Sequence, residues 1–172
     1  ICLYYLFENI ALTFTYASNI GVIVSTSPLF IALIAAALGR QRLTKQFLLG
    51  FIASMAGISL ISLNGSGVHI NFAGDILALL AALIWALYSY VVSYLNTLGH
   101  NPVQMTRRTF IYGILFILPV FFATHGRLRW ERIMQSDNLI NLLFLGLGAS
   151  ALCFLSWAYA VKKLGTVKTS IY

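Results

Sequence analysis

Charge is what this sequence most lacks. Only 9% of its 172 residues are Asp, Glu, Lys or Arg, against roughly 25% in a soluble domain, so it cannot clothe an ordinary water-facing surface. Acid is scarcer still, with four carboxylates in all: Glu8, Asp75, Glu131 and Asp137. Intramembrane proteolysis would need a paired aspartate, a Ser/His pair or a His-Glu-x-x-His zinc motif, and none of these is present. The three histidines, His69, His100 and His125, all fall between apolar runs rather than inside them. The two cysteines, Cys2 and Cys153, lie inside apolar runs, which suggests neither a disulfide framework nor a Cys-rich metal site. There is also no glycine-rich ATP-binding loop. The sequence therefore points away from an enzyme, with no metal and no cofactor expected.

What is present in quantity is apolar surface. Hydrophobic residues make up 60% of the chain and the mean hydropathy is +0.88. A span needs about 20 apolar residues to cross a hydrocarbon core of about 30 Å, and windows near that length recur at 1–17, 20–38, 46–63, 75–96, 105–124 and 138–161. Stretches such as "FIALIAAAL" and "GDILALLAALIWALYSYVV" are apolar nearly all the way round, unlike a soluble core helix with its polar face. The expectation is an all-α integral membrane protein, multi-pass, with the lipid bilayer as its first partner. The linkers are short and carry breakers such as Asn64-Gly65, Gly67 and Pro102. The longest, "HGRLRWERIMQSD" at 125–137, is amphipathic and is expected to lie along the interface with Trp130 as an anchor.

The basic residues give an orientation. Linkers after the second, fourth and sixth spans share one face and carry Arg40, Arg42, Lys45, Arg107, Arg108, Lys162, Lys163 and Lys168, eight of the eleven Lys and Arg. The other face holds Arg127, Arg129 and Arg132. By the positive-inside rule the first group is cytoplasmic in an inner or plasma membrane, and a net charge of +7 needs no nucleic acid to explain it.

Internal repetition bears on architecture. Shifting the sequence so that Cys2 falls over Ala151 matches Leu3, Leu6 and Ala11 with Leu152, Leu155 and Ala160. The two matched helices are the first and the sixth of the six spans, so they cross in opposite directions, which is an inverted-topology repeat. The chain begins with Ile1 inside one span and stops at "GTVKTSIY" as another starts, so five-span repeats would place about two further spans outside it at each end.

Several segments resemble the drug/metabolite transporter superfamily and its EamA-type domain. "FENIALTFTYASNIGVIVSTSPLF" is similar to that family's third and fourth helices, "LTKQFLLGFIASMAGISLIS" and "GDILALLAALIWALYSYVV" to the fifth and sixth. "MTRRTFIYGILFILP" and "LGASALCFLSWAYAVKKLGTVKTSIY" resemble the seventh and eighth. The chain departs from the pattern at "GRQRLT", where Gln41 stands in place of the family's usual Glu. The resemblance implies a helical bundle of inverted five-helix repeats around a central pocket used for alternating access. Residues 1–64 would then be the last three helices of one repeat and residues 74–172 the first three of the next.

Against that background the few polar residues inside spans become candidates for a site. An ionised side chain at bilayer depth costs something on the order of 2.5 kcal/mol or more, so Glu8, the one acid well inside a span, should face protein or a water-filled cavity. On a continuous helix Tyr5, Glu8, Leu12 and Thr15 would share a face, with Asn9 and Tyr16 on its flank. Trp85, Tyr88 and Ser89 form an aromatic and hydroxyl stripe suited to lining a pocket for an amphipathic solute. Ser156 and Trp157 take the repeat-equivalent places of Phe7 and Glu8. Pro28 removes a backbone donor and leaves the carbonyl near residue 24 open, a kink that could gate. The bland alternatives are that Glu8 and Asn9 bridge neighbouring helices, that the stripe is ordinary packing and that the proline only sets shape. The function these features favour is secondary-active export or exchange of a small metabolite or drug-like solute, with a coupling proton on Glu8 as one option. The rival is a non-transporting assembly subunit of a membrane complex, and the oligomeric state is not legible.

Overall fold

The computed structural model describes residues 1–39, 43–63, 71–124 and 130–171, and every regular element among them is helical. Gln41 and His69 lie outside the described residues, as does His125. Among the described residues four helical runs are long and apolar enough to cross a membrane: Ala17–Ala37, Phe72–Thr97, Pro102–Ala123 and Ser136–Leu164. The protein is thus an all-α integral membrane protein, and packing divides it into two compact units, residues 1–91 with 166–172 and residues 92–165.

The first unit holds α1 (Cys2–Ala11), α2 (Ala17–Val24), α3 (Ser27–Ala37), α4 (Lys45–Leu63) and α5 (Phe72–Thr97) as far as Val91. The last helix of the chain, Thr166–Ile171, belongs to it too and packs on α3, while α4 packs on α2. Ala11, Ile20 and Ala78 form the centre of its core, with Ile23, Val24 and Leu77 packed around them. Ala78, Ala82, Ala86 and Ser89 recur every three or four residues along α5, and all four are fully buried. Small side chains at that spacing let helix backbones approach closely where lipid supplies no hydrophobic drive for association.

The first expected span is corrected. It was read as one helix over 1–17, but α1 ends at Ala11 and a tight turn follows. The Thr13 hydroxyl and amide both donate to the Ile10 carbonyl, at 2.7 and 3.0 Å, and Tyr16 is extended with ψ 149°. A short polar side chain that satisfies its own backbone competes with helix continuation. Thr15 and Tyr16 therefore do not continue the face of Tyr5 and Glu8, whereas Leu12, the C-cap of α1, keeps helical φ −59° and ψ −21° with its amide donating to the Glu8 carbonyl. The turn is fixed from outside as well, because a Cβ at Gly74 would stand 2.9 Å from Thr15 Cγ2 and 3.1 Å from Phe14 Cβ. Only glycine allows the first turn of α5 to come that close.

Helix α2 breaks where the proline suggests, and Pro28 sits in the first turn of α3. Three successive hydroxyls close the gap: Ser25 donates to the Gly21 carbonyl, Thr26 to that of Ile23 and Ser27 to that of Val24. The last is the carbonyl four residues before the proline, left without its helical amide. Of the three hydroxyls, Ser27 is the one that reaches it.

The second unit contains α5 from Val92 onward, α6 (Pro102–Ala123), α7 (Trp130–Ile133), α8 (Ser136–Leu143), a π-helical stretch Phe144–Leu152 and α9 (Cys153–Leu164). Gly99 ends α5 at φ 82°, with His100 N–H donating back to the Leu95 carbonyl. Asn101 then caps α6 by accepting from the Val103 amide at 2.9 Å, with Pro102 in the first turn. Packing of α6 on α9 includes an edge-to-face pair, Phe110 and Phe154, with centroids 5.2 Å apart. The Asn96 amide donates to the Ala158 carbonyl at 3.3 Å. Of the expected interfacial helix at 125–137, the described part is one turn at Trp130–Ile133. Asp137 belongs not to a linker but to the first turn of α8, where a carboxylate suits the exposed amides.

Candidate functional site

Helix α1 carries Tyr4 and Glu8 four residues apart, so both side chains stand on one face. The Tyr4 hydroxyl donates to Glu8 Oε1 at 3.1 Å, and both residues are half-buried. Across from them α5 presents Trp85 and Tyr88, three residues apart and also half-buried. The Tyr4 ring lies 5.4 Å from that of Trp85, tilted by 49°, and Trp85 lies 5.5 Å from Tyr88, tilted by 44°. Tyr5 meets Tyr4 edge to face at 5.3 Å. One turn along α5, Ser89 is fully buried, and its Oγ has no hydrogen-bond partner among the described residues.

The first unit therefore joins Glu8, Tyr5, Trp85 and Tyr88 through a residue that periodicity did not single out. Tyr4 is the link, holding the carboxyl with its hydroxyl and the indole with its ring. Its only signal in the sequence is its place one turn before the acid. The cluster can accept a proton or a hydrogen bond at the carboxyl and can offer aromatic faces to an apolar or cationic group.

The remaining candidates lie elsewhere. Asn9 is exposed, and its amide turns back to the Tyr5 carbonyl of its own helix at 2.8 Å. Tyr16 is 53% exposed at the start of α2, beyond the turn that ends α1. Ser156 is exposed and Trp157 half-buried, both on α9 in the second unit. Pro28 lines a cavity of about 520 Å³ in the first unit, together with Ser25 and one face of α4, and the Glu8 cluster does not line it.

Membrane-length apolar helices define a polytopic α-helical membrane protein, with the Glu8 carboxyl beside aromatic rings in its first unit. The chain belongs to the EamA-like transporter family, whose profile matches residues 1–63 and 72–172. An uncharacterized transporter of Archaeoglobus fulgidus is 26% identical over 100% of this chain and 59% of its own length. The uncharacterized transporter YyaM of Bacillus subtilis is 25% identical over 95% of this chain and 54% of its own. A protein of Streptantibioticus cattleyicolor described as a probable terminal-alkyne amino-acid exporter is 22% identical over 90% of this chain and 50% of its own. The chain thus spans between half and three-fifths of the length of these relatives. No solved structure matches.

Proposed function

We propose that this chain is part of a secondary-active transporter that exports or exchanges a small metabolite or amphipathic solute by alternating access across the inner or plasma membrane. The observation that carries this proposal is the Glu8 carboxyl, hydrogen-bonded to Tyr4 at 3.1 Å beside the Trp85 and Tyr88 rings in an otherwise apolar bundle. Acid at membrane depth is costly to keep, and a carboxyl that meets solute or a coupling proton gives a reason for keeping it. The aromatic faces would hold the apolar body of the solute, with Ser89 Oγ as a further polar contact. Export is supported by the description of the Streptantibioticus relative as an exporter. The family match falls in two segments, 1–63 and 72–172, which supports two inverted repeats meeting between residues 64 and 74.

The test uses full-length protein in liposomes without ATP. Glu8→Gln keeps the volume and a hydrogen-bonding amide but cannot titrate, so it is expected to insert normally and lose proton-dependent transport. Unchanged rate, pH profile and solute affinity would make the carboxyl a structural bridge between helices. Absence of flux from the parent protein across a broad metabolite panel would favour the assembly-subunit function instead.

A further inference from the structure

The cavity at the broken helix has a chemistry of its own. It opens between the Ser25–Pro28 break, α4 and the terminal helix Thr166–Ile171, and its volume of about 520 Å³ lies within the range of small-molecule sites. Helix α4 supplies a single face: Gln46, Gly50 and Ser54 recur every four residues, and Phe47 and Phe51 beside them are stacked at 6.5 Å with planes 15° apart. Among the described residues the Gln46 and Ser54 side chains make no hydrogen bond, and no charged side chain lines this space. A second cavity of about 390 Å³ shares Gln46, Phe47 and Ile171 with it and adds Thr44 and Lys168. Among the described residues Lys168 is the one charged group lining either space; it lines the second and stands on the same helix face as Ile171.

We propose that the two adjoining cavities bind an anionic amphiphile, with its apolar body along Phe47, Phe51 and Met55 beside Pro28 and its anionic head at Lys168 with Thr44 and Gln46. A neutral lining suits an uncharged chain, since burying a charge there would leave it unpaired. An ammonium at one end, with a hydroxyl and an amide beside it, suits a carboxylate or a phosphate. The source is either a free fatty acid or a membrane phospholipid. This site is separate from the Glu8 cluster and does not depend on the transport proposal.

The test is photolabelling of the full-length protein in lipid nanodiscs, with labelled peptides read by mass spectrometry. The probes are a diazirine-bearing palmitic acid, a diazirine-bearing phosphatidylglycerol and, as neutral control, a diazirine-bearing hexadecanol. The expected result is saturable labelling of α4 between Phe47 and Met55 by one or both anionic probes. Labelling by the fatty acid alone identifies a free solute, and labelling by the phospholipid alone identifies a bound lipid. Lys168→Gln should weaken that labelling about fivefold, the weight of one cation beside an anionic head. Gly50→Phe should abolish it, because Gly50 lines the cavity, a Cβ there meets nothing within 4 Å, and the benzyl group would take up ligand space. Should Gly50→Phe fail to insert, competition by unlabelled palmitate on the parent protein reads the same saturability. Equal labelling by hexadecanol with no effect of Lys168→Gln would overturn the proposal. So would non-saturable labelling equal to that of the exposed α6 residues Ile114, Leu115 and Phe116, which would report bilayer contact alone. Glu8→Gln should leave the labelling unchanged, and its loss there would place the ligand at the other cluster and overturn the assignment.

Discussion

At the scale of single residues, the Tyr4 hydroxyl separates two roles that the tyrosine ring combines. Tyr4→Phe keeps the ring against Trp85 and removes only the donor to Glu8. One hydrogen bond of this kind is worth about 0.5–1.5 kcal/mol, so solute affinity is expected to shift by about two- to tenfold while insertion stays normal. Transport titrations on the full-length protein check this, and an unchanged affinity would remove Tyr4 from the site. Ser27→Ala should leave the Val24 carbonyl without its hydroxyl and lower stability by about 1 kcal/mol, read as a lower unfolding midpoint in detergent. Glu8 was legible in the sequence because an acid in an apolar run demands a partner. Tyr4 was not, because a tyrosine among apolar neighbours looks the same whether it packs or donates. Its contact with Trp85 joins helices far apart in the chain, which local pattern cannot report.

Among the elements, five of the six apolar runs became helices close to where hydropathy placed them, because the length needed to cross a bilayer is written directly in composition. The first run failed for a reason that hydropathy does not carry. Its residues stay apolar through Phe14, yet a threonine hydroxyl and the close approach of another helix end it at Ala11. That close approach is testable through Gly74→Ala. The added methyl would meet Thr15 and Phe14 at about 3 Å, and overpacking of this kind costs about 1–3 kcal/mol. The expected outcome is a clear drop in thermal stability in detergent, with Gly50→Ala as a neutral control because its new methyl meets nothing within 4 Å. Similar losses in both variants would refute a specific contact at Gly74.

For the whole molecule, the distribution of Lys and Arg predicts sidedness. His100 and Gln135 flank α6 and must lie on opposite faces if that helix crosses once. In a background of Cys2→Ser and Cys153→Ser, His100→Cys is expected to be shielded from an impermeant thiol reagent in intact cells, and Gln135→Cys to be labelled. The reverse pattern would invert the protein in the membrane, and equal labelling would mean that α6 does not cross. An expected orientation can be drawn from sequence alone because it depends on a count of charges. The join between Glu8 and the Trp85 stripe depends on which helix faces which, and that emerges only in the packed bundle.

The π-helical stretch Phe144–Leu152 has a bearing on how such chains change over time. Each of its hydrogen-bonded loops holds one residue more than an α-helical loop, so the segment behaves as an insertion already absorbed. Elsewhere in a span, loss of one residue would swing everything beyond it by about 100° and turn a packed face toward lipid. Here a single deletion can instead be taken up by reversion to α geometry, leaving the Phe154 face of α9 in place. The stretch is therefore where length variation in this helix is best tolerated, and where two relatives can differ by one residue without repacking their bundles.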